Sequence, residues 1–363
     1  MKKSEAGSAR FRAAIVGGTG YGGAELIRLL LGHPSVALTR VSSIDSVNKP
    51  LEAVHLSLHE TGLTFEEIPL EETARGVDVL FLALPHKIPA TMAPALERLE
   101  CRVVDLSGDF RLRSAADYAA FYGGAHPHPE QLDGRWVFGL PEVYREEIRS
   151  ARRVASPGCF ATTIMLGLLP LARAGLLRGA VQTVASTGSS GSGAYAKEGT
   201  HHPIRANNLK SYKHLSHQHT PEIMRILRET AAAGGHDSRF ALHFMPRSAP
   251  MPRGILATSF VRLPESATKG EVEALYRDFY EGAAFVRVLG SGTRTAEVVA
   301  IKGSMWVDLS WALSEPDGEG RQLAVDTALD NLVKGGAGQA VQSMNLMLGL
   351  PEGQGIDAPA MWP

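Results

Sequence analysis

The chain has 363 residues with 44% hydrophobic content, more than one average domain holds, so two domains or one large one with a substantial core is expected. Lys+Arg 37 against Asp+Glu 38 leaves a formal charge of −1, which gives no electrostatic case for nucleic acid or an anionic membrane as partner. Only Cys101 and Cys159 are present, which excludes a disulfide scaffold, and the polar opening to Arg10 has no apolar signal-peptide core, so a cytoplasmic α/β enzyme is expected.

In chain order, residues 11–16 read as a buried strand. The turn Gly17-Gly18-Thr19-Gly20-Tyr21-Gly22-Gly23 then opens an apolar-periodic helix over 24–31, which stops at Gly32-His33-Pro34. Further strands are expected at 36–41, at 77–84 before Pro85, and at 102–106 before Ser107-Gly108. Strands spaced by helical patterns predict an N-terminal Rossmann-type, doubly wound parallel sheet. Beyond about residue 155 the pattern changes. A helix over 161–174 precedes a strand at 181–187, a long polar stretch over 188–219, and a helix over 222–230 with Thr220 as its N-cap. Longer, alternating strands follow at 240–245, 254–263 and 305–313, with helices at 269–280 and 337–348, which predict an α+β domain with a mixed or antiparallel sheet. The expected division is 1–157 as an NADP-binding domain, completed by a C-terminal helix within about 330–363, and 158–329 as a catalytic and oligomerisation domain.

Several segments have the composition that chemistry needs. Gly17, Gly20 and Gly23, set between a strand and a helix, allow a pyrophosphate to approach the backbone at a helix N-terminus, with Thr19, Tyr21 and Gly22 as neighbouring contacts. The second strand ends Thr39-Arg40-Val41-Ser42-Ser43 with no acid at its tip. Hydroxyls on Ser42 and Ser43 and a nearby Arg suit a 2′-phosphate, so NADP is favoured, although Asp45 keeps NAD open. Pro157-Gly158 turns the chain just before Cys159, and an apolar helix follows; the helix dipole would stabilise a Cys159 thiolate and make it a nucleophile. Cys101 begins a strand and reads as a core thiol. In His217-Gln218-His219-Thr220-Pro221-Glu222 a histidine could serve as acid/base with Glu222 as its orienter, against a capped surface loop as the alternative. His201, His202, His217 and His219 match no standard metal spacing, so no metal is expected. Ser107, Asp109 and Arg111 follow a strand at its ligand-binding end, where Arg111 could hold phosphate or carboxylate; Lys334-Gly335-Gly336-Ala337-Gly338 could approach a nicotinamide or simply join two elements.

The chain resembles the N-acetyl-gamma-glutamyl-phosphate reductase family, within the aspartate-semialdehyde dehydrogenase-like superfamily, from Phe11 to its C-terminus. The markers are the Gly-rich turn 17–23, Leu-Pro-His 84–86, Ser-Gly-Asp-Phe-Arg 107–111, Pro-Gly-Cys 157–159, His-x-His-Thr-Pro-Glu 217–222 and the run 330–340. The resemblance implies that Cys159 attacks an acyl phosphate to form a thioester, which NADPH reduces to a semialdehyde. His219 would be the acid/base, with His217 competing. Leu84, Pro85, Asn331, Lys334, Gly335 and Gly338 join the candidate cofactor contacts. Ser107, Asp109, Arg111, Ser156, Gly191, Arg205 and Lys213 are the candidate substrate contacts. A homodimer or homotetramer is implied. The chain departs from the family's commonest pattern at Phe160-Ala161, at Gln218, and in the loop 200–205, which resembles reductases acting on an aminoadipyl phosphate bound to an acidic carrier protein. The alternatives are therefore the same chemistry on a carrier-bound aminoadipyl or glutamyl phosphate, a non-catalytic NADP-binding sensor, or an ordinary hydroxy-acid dehydrogenase.

Overall fold

The computed structural model describes residues 10–237 and 239–362, so the polar opening before Arg10 lies outside the described residues. The chain forms two units: one runs through Gly158 and resumes over Gly336–Ala358, the other comprises Cys159–Gly335 with residues 359–362. The return to the first unit thus falls at Gly336 rather than near residue 330, and the last residues belong with the second.

The first unit contains β1 (Phe11–Val16), α1 (Tyr21–Leu31), β2 (Val36–Ser42), β3 (Phe65–Glu66), α2 (Leu70–Thr73), β4 (Val79–Leu82), α3 (Ile88–Thr91), α4 (Ala93–Arg98), β5 (Arg102–Asp105), α5 (Ala115–Tyr122), β6 (Val137–Phe138), α6 (Pro141–Ser150) and β7 (Arg153–Ala155). Its seven strands pair in the order β3-β2-β1-β4-β5-β7-β6. Every pair is parallel. Strand order reverses at β1, which lies between β2 and β4, and ligands of such sheets bind beyond the strand carboxyl ends at that reversal. The central strands are apolar throughout because both faces are covered: Val79, Leu80, Phe81 and Leu82 are all fully buried. α1 starts at Tyr21, three residues before the pattern alone indicates. Glycines 22 and 23 weaken a helical reading, yet they are tolerated in a first turn whose N-cap is Gly20.

The second unit holds α7 (Cys159–Arg173), β8 (Gly179–Thr187), α8 (His202–Arg205), β9 (Lys210–Ser211), α9 (Thr220–Ala233), β10 (Phe240–Ser248), β11 (Ile255–Leu263), α10 (Lys269–Phe279), β12 (Val286–Gly290), β13 (Val307–Leu313) and β14 (Arg321–Leu329). The seven strands run β12-β13-β14-β11-β8-β10-β9. The β8–β10 and β12–β13 pairs are parallel and the others antiparallel, a mixed sheet. β14 is not among the expected strands; its Leu323, Val325 and Thr327 are buried, and Gln322, Ala324 and Asp326, which alternate with them, are partly exposed. α9 begins at Thr220, with His219 as N-cap, so Thr220 is the first helical residue and not the cap. Pro221, whose fixed φ and missing N–H suit a first turn, explains the early start. α11 (Gly338–Met347) returns to the first unit and packs on α1, α6 and β5.

α7 is the buried helix of the second unit, covering β11 and β14 with α9 and α10 beside it. A methyl on Gly167 would stand 2.5 Å from Thr327 Oγ1, so that glycine sets how closely α7 lies on β14. Pro170 sits inside the helix and has no N–H to give Leu166, four residues earlier. The Tyr280 hydroxyl donates to that Leu166 carbonyl, and Tyr276 Oη donates 2.6 Å to the Gly167 carbonyl. Tyr280→Phe removes the donor and leaves a buried carbonyl exposed to the cost of desolvation, so unfolding by urea should show a loss of about 1–3 kcal/mol. An unchanged midpoint would mean the carbonyl is satisfied another way.

Candidate active site

The glycine turn separates into two sets. Gly17 has φ +90°, and a methyl there would lie 2.6 Å from the Ala83 carbonyl oxygen; on Gly18 it would meet Val41 Cγ1 at 2.1 Å, and on Gly23 the Gly17 oxygen at 2.7 Å. Those three glycines close the turn onto β2, β4 and itself. Around Gly20 and Gly22 a methyl meets nothing within 4 Å. Their open side lies at an α1 N-terminus with no side-chain cap, where backbone N–H groups could hold an anion. Ser42 and Ser43 end β2 in buried positions, and Thr19 Oγ1 lies 3.5 Å from Ser43 Oγ. The guanidinium of Arg40, the arginine expected near the 2′-phosphate, uses its Nη1 on the backbone after α2, donating 2.7 Å to the Arg75 carbonyl.

After β4, Leu84 lies against Gly17, Pro85 is exposed, and Lys87 adopts a left-handed φ of 77°. Asp109 supports this strained loop. It is fully buried, and its carboxylate accepts from Lys87 N–H at 2.8 Å, Ala90 N–H at 2.9 Å and Tyr118 Oη at 3.1 Å. Ser107 Oγ donates 2.6 Å to Asp105, whose carboxyl is pushed up to about 7 by burial. Arg111 Nε donates 2.7 Å to the Ser156 carbonyl and its Nη2 2.8 Å to Leu106. Ser107, Asp109, Arg111 and Ser156 are all buried. The sequence placed them on substrate; the structure has Ser107 and Asp109 building the loops after β4 and β5, because carboxylates this enclosed satisfy themselves with backbone N–H groups.

Cys159 is the first residue of α7 and is partly exposed. Cys101 is buried in the apolar cluster of the first unit, where burial raises its thiol, as expected of a core residue. The next residue after Cys159, Phe160, packs against the histidine segment: its ring lies 5.5 Å from His217, 6.3 Å from His219 and 5.2 Å from Phe244. The two imidazoles are 4.6 Å apart, edge to face. His219 Nε2 stands 3.8 Å from Glu222 Oε1, which places the carboxylate where an orienter would be. His217 Nδ1 accepts the His219 backbone N–H at 3.1 Å, which fixes the neutral tautomer with its proton on Nε2. Burial, aided by the Lys213 charge, pushes His217 down to about 3. Tyr212, absent from the sequence reading, has its ring 5.9 Å from His217. Burial first, then the Cys159 charge, holds its phenol above the usual range, with Arg205 opposing.

The remaining candidates are more dispersed. The polar stretch 188–219 holds short helical turns, α8 and β9. Arg205 Nη2 donates 3.4 Å to the Thr187 carbonyl, Lys213 Nζ donates 2.5 Å to Gln218 Oε1, and Gly191 is exposed. His201 and His202 are exposed, whereas His217 and His219 are buried. Asn331, expected at the cofactor, ties loops of the second unit: Oδ1 accepts Gly254 N–H at 2.7 Å and Nδ2 donates 3.0 Å to Ser190 Oγ. Lys334 and Gly335 are buried in the same unit, in an irregular turn over 333–337, whereas Gly338 opens α11 in the first.

A doubly wound dinucleotide unit, followed by a mixed-sheet unit whose buried helix opens on a cysteine, defines a nicotinamide-dependent oxidoreductase. The models for the semialdehyde dehydrogenase NAD binding domain and dimerisation domain match residues 12–151 and 159–331. The chain belongs to the semialdehyde dehydrogenase family and is an enzyme. It is 44% identical to an N-acetyl-gamma-glutamyl-phosphate reductase of Thermus thermophilus, covering 96% of this chain and 99% of that protein. It is 39% identical to a LysW-L-2-aminoadipate 6-phosphate reductase of Deinococcus radiodurans, covering 94% and 95%. Aspartate semialdehyde dehydrogenase II of Vibrio cholerae has the same fold, at a TM-score of 0.69 and 17% identity over 94% of this chain and 99% of that one. Among the described residues no helix is long and apolar enough to cross a membrane.

His217 has a consequence for acid stability. Its folded value lies below the ordinary 6.5, so the unfolded chain takes up its proton first, and the contribution from this group is present above 6.5 and lost as pH falls toward 3. Chemical denaturation at pH 7 and 5.5 should show His217→Gln losing less stability over that interval than the parent, by about 1 kcal/mol. Equal losses would mean that His217 takes up its proton as readily in the folded protein as in the unfolded chain.

Proposed function

We propose that this protein reduces N-acetyl-gamma-glutamyl phosphate to N-acetyl-glutamate semialdehyde and phosphate, with NADPH as reductant and a thioester on Cys159 as intermediate. The observation that carries the reading is Cys159 at the start of α7, with the His217–His219 pair packed on the ring of its neighbour Phe160. Full-length similarity to reductases of that name supports it. The Cys159 thiolate attacks the acyl carbon, the bond to phosphate breaks, and phosphate leaves with its electron pair. NADPH, when bound, supplies the hydride. His219 gives a proton to the oxygen that becomes anionic on reduction. It takes that proton back as the C–S bond breaks and the thiolate leaves. His219 suits this work better than His217, whose imidazole stays neutral and braces the His219 backbone.

The open faces of Gly20 and Gly22 fit the cofactor pyrophosphate, and the Ser42–Ser43 hydroxyls, without an acid at the tip of β2, fit a 2′-phosphate. A second reading has an observation of its own. The segment 195–215 exposes Tyr195, Ile204, Leu209 and Leu215 among Lys197, Lys210 and Lys213, a surface suited to an acidic carrier presenting an aminoadipyl or glutamyl phosphate.

The sheet of the second unit also supports an oligomer. Strand register puts Val184, Met245, Leu256, Phe260 and Ala324 on the face opposite the helices, and Phe260 is 39% exposed there. A second copy covering that face would give a homodimer, or half of a tetramer. Sedimentation should show Phe260→Arg at a smaller assembly state than the parent; a parent that is already monomeric would refute this.

For the chemistry, Cys159→Ser should abolish semialdehyde oxidation with phosphate and NADP+ while NADP+ affinity stays close to the parent's. His219→Asn should cost about 10²–10⁴ in kcat, and His217→Asn less. NADP+ should be preferred over NAD+. Turnover by Cys159→Ser would remove the thioester route. Turnover only when the substrate is carried on an acidic protein, and loss of it with salt, would select the second reading.

A further inference from the structure

The loops around Cys159 converge on one buried carboxylate that the reaction above does not use. Asp330, just past β14, is fully buried. Its Oδ1 accepts from Arg253 Nη2 at 3.1 Å, Leu332 N–H at 2.9 Å and Val333 N–H at 3.1 Å. Its Oδ2 accepts Gly303 N–H at 2.7 Å. Its backbone carbonyl accepts the Gly335 N–H at 2.9 Å, which closes the turn 330–335. Gly335 then backs onto the cysteine: a methyl there would stand 2.9 Å from Cys159 Cβ and 3.2 Å from its Cα.

Arg253 extends the same clamp to the loop after β8. Gly188 N–H donates 2.9 Å to the Gly254 carbonyl, Ser189 N–H 2.9 Å to Met251 and Ser190 N–H 3.0 Å to Pro252. A methyl on Gly188 would lie 2.7 Å from Arg253 N, so these strands of chain are in contact. Asn331 ties the two loops to the turn by its bonds to Gly254 and Ser190.

We propose that Asp330 is the positioning residue for Cys159, acting with Arg253 through the 330–335 turn and the Gly335 backbone. The inference rests on Cys159 being the nucleophile. A buried carboxylate that collects three N–H groups and a guanidinium fixes backbone positions rather than meeting substrate. The turn it fixes runs so close to the cysteine that a methyl on Gly335 would not fit against Cys159 Cα and Cβ, so a shift of the turn is passed to the cysteine. A displacement on the order of 1 Å at a reacting group can cost about 10²-fold in rate.

The test compares Asp330→Asn, Gly335→Ala, Arg253→Gln and Arg253→Lys with the parent. Steady-state kinetics, the rate of Cys159 alkylation by iodoacetamide and the thermal midpoint are measured for each. Asp330→Asn and Gly335→Ala should lose about 10²-fold in kcat and alkylate Cys159 more slowly at a temperature where both are folded, with KM for the cofactor unchanged in Asp330→Asn. Arg253→Lys should recover most of what Arg253→Gln loses. A lowered midpoint with parental kcat and alkylation rate in Asp330→Asn would overturn the proposal. If Asp330→Asn fails to fold, parental kcat in Gly335→Ala overturns it. Cys159→Ser separates the two levels: an inactive Cys159→Ser beside fully active Asp330→Asn and Gly335→Ala refutes positioning alone, whereas an active Cys159→Ser refutes the nucleophile itself.

Discussion

Burial of α7 determines where the cysteine stands. Thirteen of its fifteen residues, Phe160 through Ala172, are buried. The helix therefore cannot slide or rotate without breaking the fit to β11 and β14. Gly167 allows the close approach to β14, and Tyr276 and Tyr280 take up the carbonyls around Pro170. A helix held this firmly presents its first residue at a fixed place and in a fixed direction. Cys159 is that residue, and Phe160 converts the same packing into contact with the histidine pair. The stability of the second unit and the geometry of its chemistry thus come from one helix.

The cofactor half obeys a different constraint. There the backbone itself has to be approached, so side chains are missing wherever they would obstruct. Gly17, Gly18 and Gly23 are needed by the protein, whose own atoms fill the space a methyl would take; Gly20 and Gly22 leave space that a ligand can take. Asp109 and Asp330 solve the same problem in the two units. Each is a fully buried carboxylate that gathers backbone N–H groups and so freezes an irregular loop that no helix or sheet ladder could hold.

Local pattern made much of this visible in the sequence. The β1–turn–α1 unit, Cys159 ahead of an apolar run, and His217 with His219 before a proline all declare themselves within a dozen residues. What was hidden depends on partners far away along the chain. Asp330 meets Arg253, 77 residues off, and Asn331 reaches Ser190 across 141. Asp109 has the spacing of a ligand-binding residue, and only its enclosure by Lys87, Ala90 and Tyr118 reveals a structural task. Arg40 sits where a phosphate ligand is wanted, but the backbone carbonyl of Arg75 claims it. Thr220 has the side chain of an N-cap, yet Pro221 moves the helix start past it.

Covalent catalysis by Cys159 can be seen by trapping the acyl enzyme. The enzyme is incubated with the acyl phosphate and no reductant, quenched in acid, digested, and the cysteine peptides weighed. Acyl mass is expected on the peptide bearing Cys159 and not on that bearing Cys101, and it should disappear when NADPH is added before the quench. Release of phosphate on reduction without any acyl mass at Cys159, or acyl mass on another residue, would contradict it.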